Sequence, residues 1–159
     1  MPTFSGSVPD DIYFEVVPDP DLVMRASETI WGVDLRSVRV VNSSEDWTRA
    51  VHDPEVLVLW SFREDLPNPD EEFPVWAEVT LPVSDDPRRL ALQLEHLARA
   101  LQCAFLTKLG APSPSESLRM YMPTGVSRGV FLELPDMPGD PERLSPLDRA
   151  ILERNRRID

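Results

Sequence analysis

Few residues of this chain have the type and spacing for chemistry, and the densest group is acidic. Residues 64–73 read EDLPNPDEEF, with carboxylates at Glu64, Asp65, Asp70, Glu71 and Glu72. Pro67 and Pro69 fix φ and remove two amide donors, which excludes a helix or a central strand. A calcium loop needs oxygen ligands at alternate positions around a central glycine. This stretch has no glycine, so that metal site is excluded. What remains is a solvated loop, a stiff acidic surface or a looser divalent-cation site. The second would lose little entropy on docking and would steer a basic partner toward it.

The other reactive residues do not assemble into a site. His52 and Asp53 are adjacent, and neighbours on a helix point apart, so they are not a dyad. A histidine at a helix C-terminus suits the helix dipole instead. His96 and Cys103 are seven apart, but the helix holding His96 is expected to end before Cys103. Cys103 then reads as a small buried hydrophobe. Ser113, Ser115 and Ser117 lack the G-x-S-x-G setting of a nucleophile elbow. No glycine-rich phosphate cradle occurs among only 6 glycines. Of the four tryptophans, Trp60 and Trp76 fall in strand patterns and read as core. Trp31 and Trp47 lie near helix boundaries and are the interface candidates.

The net charge is −12 and the isoelectric point about 4.5. That balance lacks the basic footprint of a nucleic-acid binder and favours cationic partners. Of the 16 basic residues only Lys108 is a lysine, a skew that fits coding bias. One cysteine excludes an intrachain disulfide and a cysteine-rich zinc site. There is no basic, apolar leader and no run of ~20 apolar residues. The expectation is a soluble cytoplasmic protein with no membrane association and no cofactor. Its 159 residues fit a single domain, 1–159.

Prolines mark the elements that must position these groups. A strand is expected over 12–17. A helix follows Asp19-Pro20 and stops at Gly32. Residues 37–42 alternate as a second strand, and Ser43 with Asp46 opens a short helix. Residues 55–62 form the most apolar strand, suited to a central place. Another strand covers 74–82. A helix from Asp86-Pro87 carries Leu90, Leu94, Leu97 and Leu101 on one stripe. Short strands follow at 103–107, 118–122 and 128–134, the last two as a hairpin. A final helix spans 146–157, with Leu147, Ile151 and Leu144 expected inside. Strands flanking helices, with late hairpins, predict an α+β fold. One mostly antiparallel sheet of five to seven strands should have helices packed on one or both faces.

The run LEHLARALQCAFLTKLGAPSPSESLRMYMPTGVSRGVFLELP (94–135) passes from helix to short strand, Pro/Ser loop and hairpin. In this it resembles small acidic bacterial immunity proteins, the inhibitors of secreted toxins. The resemblance implies a non-catalytic protein whose carboxylates meet the basic cleft of a cognate toxin. It assigns no residue a role. Two rival readings stand beside it. One is a small-molecule or metal-dependent enzyme using scattered carboxylates with His52 or His96. The other is an adaptor or homodimer docking through the basic Arg154-Asn-Arg-Arg157 end. The choice between monomer and homodimer stays open.

Overall fold

The computed structural model describes residues 10–62, 72–82, 86–109, 118–132 and 143–156. The strands are β1 (Asp10–Phe14), β2 (Val38–Val41), β3 (Val58–Phe62), β4 (Val75–Thr80), β5 (Phe105–Thr107), β6 (Leu118–Tyr121) and β7 (Ser127–Val130). The helices are α1 (Pro20–Trp31), α2 (Ser44–Val51), α3 (Pro87–Leu101) and α4 (Pro146–Arg154). All seven strands join one sheet in the order β2-β3-β4-β1-β5-β6-β7. Only β2 and β3 run parallel; the other neighbours are antiparallel. The fold is α+β, as the pattern of elements predicts.

Local chemistry sets the helix starts. Asp19, Ser43, Asp86 and Ser145 each accept a hydrogen bond from a backbone N–H of the first turn. Such caps satisfy donors that have no partner inside the helix. Pro20, Pro87 and Pro146 follow three of them, where a missing N–H does no harm. Helix α1 stops at Gly32, whose φ of 63° suits a residue without a side chain. A single 3₁₀ turn, Leu35–Ser37, precedes β2 and is capped by Asp34. It is too short for a periodic signal, and the sequence reading has no counterpart for it.

Helices α1 and α3 cover one face of the sheet. Leu94, Leu97 and Ala98 of α3 and Val23 of α1 are fully buried against Ile12, Phe14, Val58, Trp60 and Phe105. Each such leucine contributes roughly 1.5–3 kcal/mol relative to an exposed one. Phe14 lies 5.3 Å from Phe105 between ring centroids, and Phe105 lies 5.1 Å from Tyr121. One polar pair sits inside this core. Trp60 Nε1 donates to Ser27 Oγ at 3.0 Å, and Ser27 donates to the Val23 carbonyl at 2.7 Å.

The opposite face carries α2 at one end and α4 at the other. Trp47, Ala50 and Val51 of α2 pack on Val56 and Leu59. Ile151 and Leu152 of α4 pack among Leu106, Met120, Met122 and Val130. Here one expectation fails. Leu147 is exposed, while Leu144 and Leu152 are buried. The inward side of α4 carries Asp148, Ile151 and Leu152 and leaves Leu147 outside. Asp148 turns inward to meet Arg128 of β7, with Nε to Oδ1 at 3.2 Å. The Nε–H is misaligned for a hydrogen bond, so the attraction is one of charge.

Candidate binding face

Between α2 and α4 the second face has a polar middle built on β1 and β4. Alternation puts Asp11 and Tyr13 of β1 and Trp76 and Glu78 of β4 on this side. Their neighbours Ile12, Phe14, Ala77 and Val79 point into the first core. Register then pairs them. Asp11 stands opposite Glu78, and Tyr13 opposite Trp76. Ser61 of β3 is opposite Glu78 on the other side and is buried. Trp76 Nε1 donates to Asp11 Oδ1 at 2.9 Å, which ties the aromatic pair to the acidic pair.

This arrangement corrects the reading of Trp76 as core. Its ring is half-buried beside carboxylates, unlike the fully buried Trp60. Tyr13, Trp76 and Glu78 each make further interactions within the chain, so the group is held in place as a unit. A cationic side chain reaching the exposed Asp11 would meet a carboxylate with aromatic faces alongside. A guanidinium would fit best, since its fork can serve a carboxylate while its plane stacks on a ring. The sequence signal was present in the D-x-Y and W-x-E alternations. Only the cross-strand register brings the two segments together.

The predicted contact residues distribute unevenly. Glu64, Asp65, Asp70 and Glu71 lie outside the described residues. In the sequence the acidic stretch follows β3, and its last carboxylate, Glu72, lies just before β4. Glu72 accepts from the Leu144 N–H at 3.2 Å and pairs with Arg149 of α4. It anchors the end of the stretch to the face that carries Asp11 and Glu78. Trp47 is half-buried on α2, at the border of that face. Trp31 ends α1 on the other side of the sheet, packed against the first core. The structure therefore does not bring Trp31 and Trp47 together.

The residues weighed for catalysis remain apart. His52 is exposed just beyond α2, while Asp53 approaches Arg39 at 3.9 Å. His96 is exposed on α3. Cys103 is buried, with Sγ 3.7 Å from the Val16 carbonyl oxygen. Burial raises the pKa of its thiol, and the charge of Glu15 adds to this; the hydrogen bond to Val16 opposes it. A thiol held protonated is a poor nucleophile. Among the described residues no group of three His, Cys, Asp or Glu side chains could hold a metal ion.

Of the basic end Arg154-Asn-Arg-Arg157, Arg157 lies outside the described residues and Arg156 is engaged within the molecule. Arg156 pairs with Glu15 and with Glu153. Burial works against its charge, but the two carboxylates outweigh that and hold the guanidinium charged more firmly than usual. Asn155 accepts from Thr124 at 2.8 Å. Among the described residues no helix is long and apolar enough to cross a membrane. Comparison with protein-family models, with curated proteins and with solved structures found no match.

Proposed function

We propose that the chain is a non-catalytic binding protein that engages a basic protein partner through the β1–β4 face and the carboxylates of residues 64–72. The observation that carries this reading is the Asp11–Glu78 pair in register, flanked by Trp76 and Tyr13. Glu64, Asp65, Asp70 and Glu71 precede the anchored Glu72 in the sequence and add to the negative charge. A net charge of −12 would steer a cationic partner, and a guanidinium or ammonium on the aromatic pair would fix its position. The most concrete partner is a cognate toxin, with this chain as its cytoplasmic immunity protein.

The test is capture of partners from a lysate of the source organism by the tagged protein, at low and high salt. The reading expects one stoichiometric basic protein, lost at high salt, that harms cells when made alone and not when made with this chain. A partner that is acidic, or retained equally by a Glu78→Lys variant at low salt, contradicts it.

A further inference from the structure

The sheet face opposite the acidic pair carries a different feature. Helices α1 and α3 run antiparallel there, because β1 and β4, which precede them, are antiparallel neighbours. Between them lies a groove of about 610 Å³, within the roughly 300–1,000 Å³ usual for small-molecule sites. Leu22, Ala26, Ile30 and Ala100 give it an apolar lining. Among the described residues the titratable ones lining it are Arg25 and His96, and no carboxylate does. In a chain with 28 acidic residues against 16 basic ones, that is a local inversion of charge.

Gln93 supplies the second observation. It lines the groove, and its Oε1 is buried without a hydrogen-bond partner. The same side chain carries an amide NH₂ that can donate to a bound anion. Buried polar atoms without partners are uncommon, and a residue serving only as filler would be apolar or would turn outward. Thr29 has its hydroxyl hydrogen on the Arg25 carbonyl, so it does not compete as a donor. Among the described residues the polar side chains left to meet a ligand here are Arg25, Gln93 and His96, around an apolar trough.

We infer that this groove binds a small amphipathic carboxylate, such as a medium-chain fatty acid or an arylalkanoate. Its head would accept hydrogen bonds from Arg25 and Gln93, and its chain would lie along Leu22, Ala26 and Ala100. The site is separate from the β1–β4 face and does not depend on the function proposed for it.

The experiment titrates the whole chain with decanoate below its micelle concentration and follows backbone amide shifts by NMR. Decanol and decyltrimethylammonium are titrated alongside. Saturable shifts confined to α1 and α3, at least about tenfold tighter for decanoate than for either control, are expected. Arg25→Glu should weaken decanoate on the order of tenfold. Ala100→Trp, which fills the trough, should abolish binding. Gln93→Leu should weaken decanoate but not decanol. Equal binding of the three probes, shifts spread over the surface, or no saturable shift overturns the inference. So does Ala100→Trp binding like the parent. If that variant does not fold, Arg25→Glu decides, because Arg25 is exposed and its replacement leaves the core intact.

Discussion

Substituting Asp148 by Asn should destabilise the protein through one pairing and one helix end. The side chain of Asp148 is 9% exposed and that of its partner Arg128 37%. Exposed pairs are worth about 0–1 kcal/mol, whereas breaking a fully buried one costs ~3–5 kcal/mol. One buried and one half-buried partner place the loss near ~2 kcal/mol. Asp148 also sits in the first turn of α4, where a negative charge adds about 0.3–1 kcal/mol. The Asn variant keeps the backbone N–H bond to Ser145 Oγ, so the cap itself survives. In a domain of this size a loss near 2 kcal/mol lowers Tm by roughly 4–8 °C. Urea unfolding of Asp148→Asn, Arg128→Leu and the double variant gives the coupling directly. A coupling above about 1 kcal/mol is expected. Asp148→Asn within about 0.5 kcal/mol of the parent, or zero coupling, would refute the pairing as the reason α4 turns Asp148 inward.

Two further outcomes follow from buried groups. Ser27→Ala leaves Trp60 Nε1 without a partner in the first core and should cost about 1–3 kcal/mol in urea unfolding. An unchanged midpoint would mean that the indole finds another acceptor. Cys103 should react with a disulfide reagent at least about tenfold more slowly in the native protein than in denaturant. Its folded pKa lies above the ordinary 9.0, so its contribution to stability is full below that pH and is lost as the pH rises above it. Cys103→Ala should therefore flatten the alkaline fall in stability, and an identical pH profile would contradict this.

The parts of the fold legible in the sequence were those governed by local chemistry. Asp19-Pro20, Ser43 and Asp86-Pro87 mark helix starts because capping needs only adjacent residues. The leucine row of α3 follows from helical period, and three of its four leucines are buried. Leu147 was misassigned because the apolar period of α4 competes with an ion pair to β7, a partner far away in the chain. Trp76 was read as core for a related reason. Strand alternation places Trp76 and Glu78 on one side, but which side is polar depends on β1 crossing from the other end of the chain. The groove between α1 and α3 likewise has no signature in either helix alone. It exists only because the two pack side by side.

The central claim is that the face holding Asp11, Tyr13, Trp76 and Glu78 meets a basic partner. The most direct measurement is the association rate of the captured partner with the parent and with Glu78→Lys, each at two ionic strengths. The parent rate should fall steeply with salt, since steering between opposite charges is screened over about a Debye length. The variant should associate more slowly at low salt and show a shallower salt dependence. A variant that matches the parent in both rate and salt slope would place the interface elsewhere on the molecule.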